Sequence, residues 1–324
     1  MSLWLQSAGF LTTIQDAGRF GYERFGVPCS GPMDRFALYA ANLLVGSPRQ
    51  AAGLEFGIGD VTAVCGQDCL VAVTGAGYAL SIDGRPMPLW MSILVRQGAQ
   101  LRIEKNAGGG WGYLGISGGI ATPLVMGSRA TYLKGKLGGL HGRPLQDGDV
   151  LPTCPQPLSF LGLAGRSVPP EIRPAYSNNP ILEVIPGPQA ERFTEEGIHT
   201  FYNNAYGVSP TSDRMGYRLE GQTVQHRDGA DILSDGMAFG SVQVPASGQP
   251  IVMMSEHPTT GGYTKIATVT GADLPLLAQC TAGESKVRFK ITTVEAAQAR
   301  YRAMLFNLEH CLNHREEEEL AFIE

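Results

Sequence analysis

Glycine constrains this chain more than any other feature. It fills 42 of the 324 positions, roughly twice its usual share, and 21 prolines accompany it. Each glycine inside a helix or strand costs about 0.5–1 kcal/mol relative to alanine, and proline ends both kinds of element. Long helices are therefore disfavoured, and many short strands joined by tight turns are favoured. The glycines follow no G-X-Y period, which excludes a collagen-like chain. At 43% hydrophobic residues the chain is not disordered. Its length suggests about two domains, each large enough to bury a core without disulfide staples. Charged residues make up only 17% and the net charge is −5, so there is no bulk electrostatic footprint for nucleic acid.

The local pattern agrees. Apolar runs at 61–64, 70–73, 79–82, 92–95 and 101–103 are split by turn signals such as Asp83-Gly84 and Gln97-Gly98. A second β region is expected at 181–185, 240–244, 251–254, 266–269 and 287–291. This spacing predicts sandwiches or barrels. Two stretches read as longer helices. Residues 33–45 hold a run of Ala and Leu closed by Gly46. Thr292-x-x-Glu295 reads as a capping box before an apolar stripe of Tyr301, Met304, Leu305, Leu308, Cys311 and Leu312. The run 316–319, all glutamate, reads as a solvated tail. Short helices are expected after Thr194 and near 273–279, where Pro275 suits an early helical position. Residues 152–180 hold seven prolines and read as the connector, giving domains 1–165 and 166–324. Val-Thr-Gly-Ala recurs at 73–76 and 269–272, a short trace of the kind two related halves would leave.

Six scattered cysteines (Cys29, Cys65, Cys69, Cys154, Cys280 and Cys311) read as reduced thiols, mostly buried. The N-terminus lacks a basic segment followed by an apolar one, and no apolar run is long enough to cross a membrane. The expectation is a soluble, cytoplasmic protein with no membrane and no nucleic-acid partner. No phosphate-binding G-x-x-x-x-G-K-[ST] loop, Rossmann G-x-G-x-x-G or biotin-carrying Ala-Met-Lys-Met segment is present. Gly115-Ile-Ser117-Gly-Gly119 fits the nucleophile-elbow pattern, but the following Gly118-Gly119-Ile120-Ala121-Thr122-Pro123 does not start a helix, so Ser117 reads as a turn residue. His310 and His314 share a helix face without a third ligand, and His141, His199, His226 and His257 are isolated. No metal site is expected.

Three clusters pack polar residues among glycines. In the first, residues 12–34, Asp16 and Arg19 suit either a polar substrate or a local ion pair, with Ser30 or Asp34 as a helix cap. In the second, residues 213–221, Arg214, Arg218 and Tyr217 suit a carboxylate or phosphate, or an ordinary hairpin. The third runs from Gln243 through Ser255-Glu256-His257-Pro258-Thr259-Thr260-Gly261-Gly262-Tyr263-Thr264-Lys265. Here Gly261-Gly262 suits an anion nest or a hairpin turn, Glu256 a base and Lys265 a cation.

At these residues the sequence resembles a known family. The stretches TTIQDAGRFGYERFGVPCSGPMD (12–34), ANLLVG (41–46), GGIATPLVMGSRATYLKGKLGG (118–139), GRPLQDGD (142–149), DRMGYRLEG (213–221) and VQVPASGQPIVMMSEHPTTGGYTKIA (242–267) resemble, in order, the KipA-like family. This family is also called allophanate hydrolase subunit 2; its members are biotin-dependent carboxyltransferase homologues and include the C component of 5-oxoprolinase. The resemblance implies a mainly β fold of two cyclophilin-like β-barrel halves with a few helices, including a C-terminal helix. It implies two partners, a KipI-like B component and a LamB/YcsF-like A component, and the ATP-dependent opening of 5-oxo-L-proline to L-glutamate by the complex. ATP would act through the complex. The resemblance also leaves two alternatives. One is carboxyl transfer to urea or another amide, which needs biotin on a separate carrier. The other is non-catalytic regulation by binding a KipI-like sensor-kinase inhibitor.

Urea and 5-oxoproline share a planar N–C=O unit. A cation facing the oxygen and a base facing the nitrogen favour its imidic form. By family motif position, Lys265 or Arg214 is expected at the oxygen and Glu256 at the proton. Gln15, Asp16, Arg19, Ser30, Asp34, Tyr217, Gln243, Thr259, Thr260, Gly261, Gly262 and Tyr263 are expected to bind substrate. The chain departs from the family pattern at Glu256-His257-Pro258, where Asp-x-Gln is usual, at Thr264, where proline is favoured, and at Ser47, where asparagine is usual. Relatives commonly carry alanine at the position of Ser117.

Overall fold

The computed structural model describes residues 2–106, 108–156 and 160–321, with side chains as far as residue 312. The chain divides into two compact units. One takes Met1–Arg19, Asp34–Pro174 and Met304–Glu324, the other Phe20–Met33 and Ala175–Ala303. The division at 174/175 lies inside the proline-rich stretch. Neither unit is one continuous segment, because residues 20–33 group with the second and residues from 304 with the first.

The first unit holds eleven strands among its described residues. Six pair in the order β11 (Val150–Pro152), β1 (Ser2–Ser7), β4 (Val61–Cys65), β9 (Gln100–Lys105), β6 (Tyr78–Ile82), β7 (Arg85–Met87). Five pair as β2 (Thr13–Gln15), β3 (Gly53–Phe56), β10 (Gly112–Ile116), β5 (Cys69–Gly75), β8 (Ile93–Val95). In β4 and β6 buried and half-buried residues alternate, as in a sheet covered on one face. In β3, β5 and β10 every residue is buried, so both faces are covered. One face joins Leu3, Leu5, Val61, Leu80 and Leu101 of the six-stranded sheet in a common core with Leu54, Val71, Val73 and Leu114. The other face carries helix α1 (Arg35–Leu44), whose Phe36, Ala37, Leu38, Ala40, Ala41 and Leu44 are buried. Each large side chain among them contributes roughly 1.5–3 kcal/mol. The helix lies so close that a Cβ on Gly115 would come within 2.5 Å of the Ala41 carbonyl oxygen. Asp34 starts α1 by accepting the Ala37 N–H at 2.9 Å, and Gly46 follows it with φ +71°.

The second unit is a closed barrel in the order β12 (Ile181–Pro186), β19 (Lys265–Val269), β16 (Ser241–Gln243), β17 (Ile251–Met253), β14 (Gly216–Glu220), β13 (Tyr206–Val208), β20 (Lys286–Ile291). A parallel pairing of β12 with β20 closes it. Leu182, Val184, Leu219, Val242, Val252, Ala267 and Val287 are buried. Helix α2 (Glu195–Asn203), capped by Thr194, docks on β20 through Phe201, whose ring stacks on Phe289 at 4.4 Å. Helix α3 (Leu274–Ala278) follows β19. Outside the barrel, β15 (Asp231–Gly236) and β18 (Thr260–Tyr263) form a two-stranded ribbon.

Helix α4 spans Val294–Ala321. Its cap lies one residue later than the Thr292 box predicts. Thr293 Oγ1 accepts the Ala296 N–H, while the Thr292 N–H is already spent on the Val184 carbonyl beside β20. Leu308 and Leu312 of the predicted stripe are buried, and His310 stacks on Phe306. His314 and the 316–319 run lie outside the described side chains. All six cysteines are free thiols. Cys65 and Cys69 are buried with their Sγ atoms 3.4 Å apart. That thiol–thiol hydrogen bond, together with burial, pushes the Cys69 thiol up. No helix among the described residues is long and apolar enough to cross a membrane.

Candidate active site

Most predicted site residues of the first unit are committed to holding loops. Asp16 is nearly buried, and its carboxylate accepts the Gly18 and Arg129 N–H groups and the Ser128 hydroxyl, at 3.0, 2.6 and 2.7 Å. Arg19 is fully buried; its Nε donates to the Val125 carbonyl at 3.0 Å and its Nη2 to that of Ala130 at 2.8 Å. Gln15 donates to Thr13 Oγ1 and to the Thr131 carbonyl, and its own Oε1 is buried with no hydrogen-bond partner among the described residues. Asp34 is the cap of α1. Its N–H meets the Tyr113 hydroxyl, which donates to Glu55 at 2.7 Å. Burial first, then the Glu55 charge, pushes the Tyr113 phenol well above its ordinary value. Glu55 is absent from the sequence expectations, since an acid in an otherwise apolar strand gives no periodic signal. Ser117 follows β10, accepts the Leu70 N–H and donates to Gln156, with no helix after it, so it is a turn residue as expected. Ser47 fills the departure position by bonding the Ile116 carbonyl and the Gly118 N–H.

In the second unit, Arg214 and Glu256 form one sealed pair. Arg214 Nε donates to Glu256 Oε1 at 2.7 Å, and the two side chains are 7% and 4% exposed. Arg214 Nη2 also donates to the Gly31 carbonyl at 2.7 Å, and the Glu256 N–H to the Arg214 carbonyl at 2.8 Å. The pair thus ties down the 29–33 segment. Ser255 donates to Met33 Sδ in the same segment. Glu256 is therefore engaged by a guanidinium and does not stand open as a base, and Arg214 is spent on it. Ser30 sits at φ +56°, with its buried hydroxyl lacking a partner among the described residues. Tyr217 is buried in β14, and its hydroxyl donates to the Ala278 carbonyl at 3.1 Å. Arg218 is exposed.

The third cluster converges. Gly261 and Gly262 do not form an anion nest. They lie in strand β18 without positive φ and pair with β15. Gly261 also lets the Gln243 side chain approach closely: a Cβ there would come within 2.4 Å of Gln243 Nε2. Gln243 is buried, donates to the Tyr263 carbonyl at 3.4 Å and stands opposite Lys265 across β16 and β19. Thr260 and Tyr263 are exposed and Thr259 is half-buried along the ribbon. Thr264, at the position where the family favours proline, is buried, with its Oγ1 3.1 Å from His226 Nε2.

Lys265 is the first barrel residue after the ribbon. Its side chain is 4% exposed, and its ammonium donates to Asp235 Oδ2 at 3.0 Å. Asp235 stands on β15 and is 53% exposed. The Lys265 hydrogen bond, with the Gly236 N–H behind it, holds the Asp235 carboxyl below the usual carboxylate range. Gln189 braces both partners. Its Oε1 accepts the Lys265 N–H at 3.1 Å and its Nε2 faces Asp235 Oδ2 at 3.5 Å. An ammonium has three N–H donors, and Asp235 is its one hydrogen-bond acceptor among the described residues. Its two other donors meet no acceptor among the described residues. Sequence reasoning missed Asp235 and Gln189; the acids of the 231–236 segment are a weak signal, and Gln189 gives none. No three His, Cys, Asp or Glu side chains converge into a metal-like group among the described residues.

Comparison with known proteins follows the same outline. Residues 25–291 match the family model of the carboxyltransferase domain, subdomain A and B. The chain is 37% identical over 297 residues to the 5-oxoprolinase C component of Haemophilus influenzae, covering 91% of this chain and 93% of that one. It is 37% identical over 293 residues to the Escherichia coli protein of the same name, covering 90% and 92%. Among solved structures, the K. lactis urea amidolyase superposes with a TM-score of 0.90 at 27% identity, over 96% of this chain but only 20% of that longer one. A mostly β fold with these matches along nine-tenths of its length makes the chain a member of the carboxyltransferase subdomain A and B family, with 5-oxoprolinase C components among its similar relatives.

Proposed function

We propose that the chain is the C component of an ATP-dependent 5-oxoprolinase and works with a KipI-like B component and a LamB/YcsF-like A component. The identity of 37% over nine-tenths of both chains carries this reading. The chain's own part is to bind and polarise the lactam. Lys265 directs its two remaining N–H donors at the lactam oxygen, where negative charge grows as the ring amide takes its imidic form. Desolvation around a nearly buried ammonium strengthens that attraction. Gln243 stands beside it, and Thr260 and Tyr263 on the ribbon, with Thr259 just before it, position the ring. Arg214 and Glu256, expected at the oxygen and the proton, instead hold the 29–33 segment in place. ATP is the co-substrate consumed by the complex, which acts in the cytoplasm.

A second reading, carboxyl transfer to urea or another amide, is favoured by the likeness to the urea amidolyase structure. The test is reconstitution. The chain is co-expressed with its A and B partners, and glutamate release from 5-oxoproline and ATP is followed. Release that requires all three chains is the expected result. No release, with carboxylation of urea once a carboxylated biotin carrier is added, overturns it in favour of the second reading. Tight binding to B without either activity points to a regulatory KipA-like role.

A further inference from the structure

The Lys265–Asp235 contact joins two elements held in different ways. Lys265 belongs to a barrel strand paired on both sides. Asp235 belongs to a ribbon of two strands, a form that is marginal by itself, and most of β15 is exposed, with Leu233 95% exposed. Gly187, just before Gln189, passes so close that a Cβ would lie 2.2 Å from the Lys265 carbonyl oxygen. This approach lets Gln189 reach both the Lys265 backbone and the Asp235 carboxylate. A lysine carries its ammonium on a flexible four-carbon stem, so without an anchor the charge samples many positions. Here one carboxylate oxygen, which Gln189 Nε2 faces at 3.5 Å, meets the ammonium at 3.0 Å and so restricts where its other two donors lie.

We propose that Asp235 is a positioning residue for Lys265, with Gln189 as its brace, an inference that rests on the amide-polarising role given to Lys265 above. Asp235 does not touch the lactam. It sets the place and charge environment of the group that does. Asp235→Asn keeps an oxygen and the size of the side chain but removes the charge. In the three-component complex it lowers kcat about 10- to 100-fold and leaves KM and the unfolding temperature of the chain unchanged. Asp235→Glu recovers a large part of the lost kcat. In the isolated chain, acylation of Lys265 by acetic anhydride, read by mass spectrometry of its peptide, rises several-fold in Asp235→Asn. Wild-type kcat in Asp235→Asn overturns the proposal, and so does a raised KM with kcat intact, which would make Asp235 a substrate contact. If the wild-type complex releases no glutamate, the 5-oxoprolinase reading fails separately. The labelling experiment then decides the role of Asp235: a rise sustains it and an equal rate overturns it.

Discussion

Two ion pairs in the second unit use similar groups to different ends. Arg214–Glu256 is sealed, with both side chains under a tenth exposed, a second carbonyl on the guanidinium and a backbone bond between the partners. Lys265–Asp235 is open on one side: the cation is 4% exposed and the acid 53%. A sealed pair offsets its own desolvation only while both partners stay in place. It suits a structural tie and serves poorly as a reaction centre. The open pair keeps a cation in a low-dielectric wall, with N–H donors left over. Residue type alone does not separate the two; the burial of the partner does.

Breaking the sealed pair is the harshest test of this contrast. Glu256→Ala removes the carboxylate that the buried Arg214 guanidinium meets at 2.7 Å, so unfolding stability in urea falls by about 3–5 kcal/mol. A loss of activity with stability intact would instead make Glu256 a catalytic base. Arg19→Met in the first unit removes charged hydrogen bonds to two carbonyls and costs about 3 kcal/mol, with kcat of the folded complex unchanged. A selective loss of 5-oxoproline binding would restore Arg19 to the substrate site. Asp34→Ala removes the cap of α1 and lowers stability by about 1 kcal/mol, measured in the same denaturant series. The smallest effect is a titration. The Asp235 carboxyl, followed by NMR, titrates below the ordinary carboxylate range in the wild type and returns toward it in Lys265→Met, because the cation that favours its charged form is gone. No movement would mean that the pair does not persist in solution.

Much of the fold is legible in the sequence because its signals are local. The apolar runs form β4, β5, β6, β8 and β9 within a residue or two of their predicted ends, and Gly46 closes α1. Ser117 is recognisable as a turn residue because an elbow needs a helix after it and the local sequence forbids one. Non-local pairing is not legible. The T-G-G-Y segment looks like a nest in sequence and becomes a strand only because the distant Asp231–Gly236 segment pairs with it. For the same reason Asp235 and Gln189 give no usable signal: they meet Lys265 from 30 and 76 positions away. Asp16 and Arg19 look like substrate ligands because exposed and buried polar residues read alike in a sequence. Most of their partners belong to a loop more than a hundred residues on. Glu256 and Lys265 sit in one motif and are equally buried, yet only the structure shows that the partner of the first is buried and the partner of the second is exposed.

In the proposed function the open pair, and Lys265 above all, carries the chemistry of this chain. The most direct test is the kcat for glutamate release from 5-oxoproline and ATP by the three-component complex carrying Lys265→Met. The expected result is a loss of about 10²–10³-fold with the B–C complex and its unfolding temperature intact. Turnover at the wild-type rate would contradict it.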